Sequence, residues 1–198
     1  MANNPNSVLQ GRRIAIWQKD YAANAALPAN TVASQAAITG YSKRGYSDGG
    51  AGFSTEQSRT GVGVDQVASP LYYIDGELSV RMNASLAELD PDNIQLAAGL
   101  GEVTDTPGNP TTLGQKELII SDTSSPEINS WLLDIAQPIN GLPFRVLMPR
   151  GQSTGGISAT VSPTQKGLAN LVVTSLPDES FTPPRLLVVR QVTPIVPA

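Results

Sequence analysis

The sequence predicts a mainly β fold: an antiparallel β-sandwich or partly open barrel, with one short flanking α-helix and a long loop after the first strand. Three observations carry this. Short apolar stretches with period two recur along the chain between Gly and Pro punctuation. One segment, 90–101, has helix start and stop signals at its two ends. Residues 19–47 hold no sustained hydrophobic period. The 198 residues, 40% hydrophobic and 15% charged, read as one domain, 1–198, with an extended loop at 19–50 and no additional C-terminal domain.

Residues 12–18 place Ile14 and Ile16 on one face, a strand after the turn residue Gly11, with Trp17 as packing. The stretch that follows is rich in alanine. Thr31–Gly40 has the Thr cap and Gly stop of a short helix, but mostly loop is expected. Compact domains rarely use connections above about 12–15 residues, so this one is functional, ordered by a partner, or disordered. Asp48-Gly49-Gly50 signals a turn, and 52–57 and 61–65 after it read as short strands. Gly61 and Gly63 lack the third glycine and the strand–helix context of a phosphate-binding loop.

The clearest strand is Glu77–Ala87. Leu78, Val80, Met82, Ala84 and Leu86 alternate with Glu77, Ser79, Arg81, Asn83 and Ser85, the pattern of a half-buried strand. At ~3.4 Å per residue it extends ~37 Å, against a radius of gyration of ~16 Å for a globule of this length. Such a strand either continues into a larger sheet or protrudes as a hairpin arm. Next comes the helix, with Asp90 as cap, Pro91 at the first position, Asp92 in the first turn and a terminal Gly. Its stripe of Ile94, Leu96, Ala97 and Leu100 would pack on the sheet. Pro107–Pro110 is a turn cluster. It is followed by Glu117–Ile120, an irregular stretch containing Trp131-Leu132-Leu133, a strand at Phe144–Met148, and further strands at Ile157–Val161, Ala169–Thr174 and Arg185–Val192.

Composition removes much chemistry. With no His and no Cys there is no Ser-His-Asp triad, no cysteine nucleophile, no disulfide and no zinc site built from those residues. A net charge of −4 disfavours nucleic-acid grip, which depends on Lys and Arg releasing counterions from phosphate. The N-terminal residues lack the basic-then-apolar pattern of a signal peptide. No apolar run approaches the ~20 residues that span a bilayer. Charge is uneven along the chain: residues 48–134 hold fourteen acids against three bases, a segment charge of −11, while the flanks sum to +7. Either the two signs mix on the folded surface, or the subunit is two-signed and attracts copies of itself head to tail.

The motifs with catalytic potential have plainer readings. Gly151-Gln152-Ser153-Thr154-Gly155 matches a nucleophile elbow, but strand-like residues follow it and no histidine exists to take the serine proton. A Ser153–Lys166 pair is the remaining chemical option. Asn83-Ala84-Ser85 matches the glycosylation triplet in mid-strand. Asp75 and Glu77 are a carboxylate pair of the kind glycoside hydrolysis uses, in a chain that is only 5% aromatic. Asp90 and Asp92 are explained by helix capping without a metal. No catalytic residue, cofactor or metal is expected.

Residues 40–101 resemble the major tail tube protein of long-tailed, non-contractile bacteriophages. The resemblance rests on Gly40-Tyr41 with Gly45-Tyr46-Ser47-Asp48-Gly49-Gly50, on Val64-Asp65-Gln66 followed by Ser69-Pro70, and on the strand exit Leu86-Ala87-Glu88-Leu89-Asp90-Pro91-Asp92-Asn93 with the helix ending Gly99-Leu100-Gly101. It covers about a third of the chain closely and the remainder by strand rhythm. It implies a β-sandwich that assembles as six-membered rings stacked into a hollow tube through which DNA is ejected. It further implies a virion tail location after assembly in the host cytoplasm. The implied partners are copies of the chain, a tape measure protein, and tail terminator and distal tail proteins, with DNA as a transient passenger and no membrane. In such proteins the long loop after the first strand reaches a neighbouring ring. On this expectation Tyr41, Lys43, Arg44, Tyr46 and Asp48 serve ring stacking, and Glu77, Ser79, Arg81, Asn83 and Ser85 belong to the ring wall. The alternatives are the inner tube of a contractile tail or secretion system, a β-sandwich carbohydrate-binding or adhesin module with an exposed aromatic cluster, and a hydrolase using Ser153.

Overall fold

The computed structural model describes residues 14–45, 47–63, 69, 71–138, 140–155 and 167–193. Its elements in chain order are β1 (Ile14–Asp20), β2 (Ser42–Lys43), β3 (Ser47–Val62), β4 (Tyr72–Leu86), α1 (Pro91–Ala98), β5 (Glu102–Thr106), β6 (Gln115–Ile119), β7 (Ile128–Ala136), β8 (Pro143–Ser153), β9 (Ala169–Ser175) and β10 (Val188–Gln191). One sheet runs β2-β1-β7-β8-β9-β4-β3, with β10 also on β8, and β5 and β6 form a separate hairpin. Every pairing is antiparallel. Among the described residues the fold is mainly β, with one short helix and no closed barrel, in keeping with the β-sandwich expected.

The main core lies between the β1-β7-β8 part of the sheet and the β9-β4 part. Ile16, Trp131, Leu133, Val146 and Met148 meet Val80, Met82, Leu86, Leu171 and Val173, and α1 adds Leu96 and Ala97. A second cluster sits on the opposite face of β1, β7 and β8: Ala15, Trp17, Leu132 and Leu147, covered by Leu27, Val32, Ile38 and Tyr41 from the loop after β1. The strand β7 is therefore buried on both faces. Trp131-Leu132-Leu133 has no alternation and reads as irregular in sequence for that reason, since period two appears only where one face meets water.

The helix forms as its signals indicate. The Asp90 carboxylate accepts the Asn93 N–H at 2.8 Å, Pro91 opens the first turn, and Gly99 closes it at φ 72°. Ser153 donates its hydroxyl to the Ala97 carbonyl at 2.9 Å and to the Val172 carbonyl at 3.2 Å, which ties α1 to β8 and β9. Lys166, the other half of the Ser-Lys option, and the expected strand Ile157–Val161 lie outside the described residues.

Two local expectations, the turn at Asp48–Gly50 and the break between the strands that follow it, are corrected. Asp48-Gly49-Gly50 does not reverse the chain, and the two short strands expected beyond it, at 52–57 and 61–65, are joined in one strand, β3, as far as Val62; Val64 and Asp65 lie outside the described residues. Ser47 pairs Leu86 and Ala51 pairs Ala84, so the extra residues are absorbed as a bulge in which Gly49 and Gly50 take φ 75° and 91°, open to glycine and strained for other residues. Thr31–Gly40 is loop, as mainly expected, and takes no helix: it is a series of turns broken at Gln35, whose φ is 63° and whose N–H bonds Asp134. The loop 21–41 finds its partner inside the molecule, on the second cluster, so its length alone does not require a neighbouring subunit. Its Asn24 N–H also bonds the Ser180 hydroxyl at 2.8 Å.

Candidate functional site

On the N-terminal side of Arg81, β3 is the one described strand beside β4. Its other neighbour, β9, pairs with residues 81–86 and ends at Ser175. The chain then reads Leu176-Pro177, and Pro177 has no N–H with which to extend a ladder. The backbone leaves on an excursion held by Asp178 and Arg185, which exchange N–H···O bonds of 3.0 and 3.3 Å, and rejoins β8 as β10. Residues 53–62 and 72–79 thus form a two-stranded arm. Neither of its long edges is paired by another described strand.

Both faces of this arm are open as well. Register places Phe53 opposite Met82, Gln57 opposite Leu78, Arg59 opposite Asp75 and Gly61 opposite Tyr73 on the face continuous with the core. The other face holds Ser54 with Arg81, Glu56 with Ser79, Thr60 with Ile74 and Val62 with Tyr72. A register shift between Gln57 and Arg59 puts the extra residue on the β4 side, at Gly76–Glu77, where a Cβ on Gly76 would run into Ser58. The Arg59–Asp75 ion pair, 2.9 Å and mostly exposed, spans the strands beyond the bulge. Apolar side chains crowd the far end: Leu71, Tyr72, Tyr73 and Ile74 are 59%, 58%, 61% and 55% exposed. An isolated hairpin is marginal in water, and contiguous apolar exposure marks a contact surface.

The expected ring-wall residues fall on this arm and its root. Glu77, Arg81 and Asn83 are exposed and Ser79 and Ser85 half-buried, on the polar side opposite Val80, Met82, Ala84 and Leu86. Asn83 and Ser85 line a shallow groove of about 810 Å³ together with Asp48, Gly50 and Asn170. Sequence reasoning missed Leu71–Ile74. The available signal was a run of apolar residues entering Asp75-Gly76 with no polar residue between them.

The expected stacking residues are divided among different surroundings. Lys43 is exposed, and it pairs Trp17 on the loop-covered face. Tyr41 belongs to the cluster beneath the loop; burial pushes its hydroxyl up to about 12, and Lys19 Nζ stands 4.8 Å from its ring centre. Arg44 is turned inward as a tether: its guanidinium donates to Gln18 Oε1 and its N–H to the Ile16 carbonyl at 2.9 Å. Burial lowers the Arg44 pKa from its ordinary value, against the opposing pull of Asp92, Asp90, Asp20 and Glu127. Asp48 is half-buried at the groove. Tyr46 lies outside the described residues.

Under the loop, Asp134 on β7 and Arg145 on β8 face each other, both wholly buried. Two charges at strand centres were legible in sequence only as isolated polar interruptions of apolar runs. A further buried acid, Asp178, accepts the Tyr21 hydroxyl at 2.9 Å and both the hydroxyl and the N–H of Ser180. Burial would raise its pKa, but those hydrogen bonds and Arg150 outweigh it and hold the carboxyl below its ordinary value. Among the described residues no group of three or more acids could hold a metal, and no helix is long and apolar enough to cross a membrane.

No family model matches the chain, and no curated protein matches it.

Proposed function

We propose that the chain is a structural subunit that polymerises through its β3–β4 arm into rings, stacked as the tail tube of a long-tailed, non-contractile phage. One observation carries this reading: a long hairpin whose edges no other described strand pairs, with exposed faces and an apolar end. Such a ribbon is an aggregation liability in a monomer, and pairing with neighbouring copies in a closed ring removes it. The tail-tube identity itself rests on the resemblance of residues 40–101, and so do six-fold symmetry, the tape measure, terminator and distal tail partners, and DNA as passenger. The acidic balance suits a conduit, because a wall that neutralises no phosphate releases a sliding polyanion.

A carbohydrate-binding module is the second reading, favoured by the exposure of Tyr72 and Tyr73. Their side chains point to opposite faces of the arm, so they do not form one platform for a sugar ring. Negative-stain microscopy and sedimentation of the purified protein decide between these readings. Rings or tubes that are lost in Ile74→Asp with an unchanged melting temperature are the expected result. Monomers at every concentration and salt level, together with binding on a glycan array, would replace the tube reading with the second.

A further inference from the structure

Two surfaces on opposite sides of β1-β7-β8 complement each other. On one side α1 packs into the core and carries the β5–β6 hairpin on its outside. The helix-side face of that hairpin has Val103 and Leu118, half-buried, and Lys116 paired with Asp92. Its outward face holds Glu102 beside Ile119 and Glu117 beside Thr104, all exposed and with no base among them, and Leu113 in its turn is 95% exposed.

On the other side lies the loop-covered face. Residues 21–41 contain no charged residue, so the cover is a neutral plate of small side chains. Strand residues around it supply Lys19, Lys43 and Arg190, the last bonded to the Pro28 carbonyl and Asn30. The acid on the strands of this face, Asp134, is buried against Arg145 and offers no compensating negative charge to solvent.

We infer that the outward face of the β5–β6 hairpin docks on the loop-covered face of a second copy of this chain. Glu102 and Glu117 approach the basic rim, while Leu113 and Ile119 meet the neutral plate. The two patches are different surfaces on different sides, so one contact leaves each copy with an unused patch of the other kind. Copies therefore add head to tail, and charge complementarity sets their register. The inference rests on the ring reading and supplies its ring-to-ring contact; it gives Lys43 a partner and replaces Arg44 as a stacking residue with Lys19.

Charge exchange tests it by microscopy and sedimentation. Glu102→Lys/Glu117→Lys is expected to leave rings and abolish stacks, as is Lys19→Glu/Lys43→Glu, with melting temperatures near wild type. Combining all four substitutions in one chain restores complementarity and with it the stacks. Leu113→Asp, at a site with almost no intramolecular contact, shortens stacks without touching the fold. Stacks of wild-type length in either double variant, or a quadruple variant that does not stack, overturns the inference and leaves the ring reading intact. Wild-type protein that never forms rings removes both.

Discussion

Asp134 and Arg145 stand opposite each other on β7 and β8, with Nε 3.6 Å from Oδ1 and no exposure of either side chain, and between them they fasten the loop to the sheet. Asp134 accepts the Gln35 N–H at 2.7 Å and the Ser34 hydroxyl at 3.3 Å. Arg145 donates to the carbonyls of Ala29, Val32 and Ala33 at 3.1, 2.7 and 3.4 Å. The pair is not an isolated ion pair in oil, because both partners also bond the loop, Arg145 at three backbone carbonyls and Asp134 at the Gln35 N–H, groups that would otherwise be buried unsatisfied.

Removing one partner strands the other as a buried charge. Asp134→Ala or Arg145→Ala is expected to cost about 3–5 kcal/mol in urea denaturation. The double variant Asp134→Leu/Arg145→Met should cost less than either single change while still freeing the loop. Elastase cutting within 21–41 reads that release, since the stretch offers trypsin no Lys or Arg.

The helix depends on its two ends. Asp90→Ala removes the acceptor for the Asn93 N–H and should cost about 1 kcal/mol. Gly99→Ala should cost more, about 1–3 kcal/mol from backbone strain at φ 72° alone. The added Cβ would also stand 2.5 Å from the Ser153 carbonyl oxygen. Chemical denaturation of both variants beside wild type checks the order.

The carboxyl of Asp178 makes an acid-side prediction. Its folded value lies below the ordinary 3.8, so the stability it contributes is complete above 3.8 and disappears as pH falls through the folded value. Melting temperature followed downward from pH 5 should therefore fall less steeply in Asp178→Asn than in wild type. Equal slopes would contradict this assignment.

Amide hydrogen exchange should divide β4 near Arg81, where β9 begins to flank it. In the monomer, residues 72–78 are exposed and have β3 as their one described neighbouring strand, so they exchange much faster than 81–86, which lie between β3 and β9 over the core. Protection of 72–78 is expected to rise on assembly. Uniform slow exchange along the strand at micromolar concentration would mean that the arm is stable without a partner.

Elements whose signals are local were legible in the chain. Asp90, Pro91 and Gly99 define α1 because caps depend on neighbours within one turn, and Val80 to Leu86 define a half-buried strand because pleating alternates side chains whatever lies beyond them. The expected possibility of a protruding arm followed from length alone. What tertiary structure decided is wherever a residue's neighbour is distant in sequence. β7 lost its alternation because the loop covers its second face, and the bulge at Gly49-Gly50 became part of a strand because β4 was there to pair with it. Arg44 turned inward to Gln18, and the arm's freedom depends on Pro177, about a hundred residues away, ending the strand that would have flanked it. Burial and pairing are properties of two segments at once, and one segment's pattern contains only half of each.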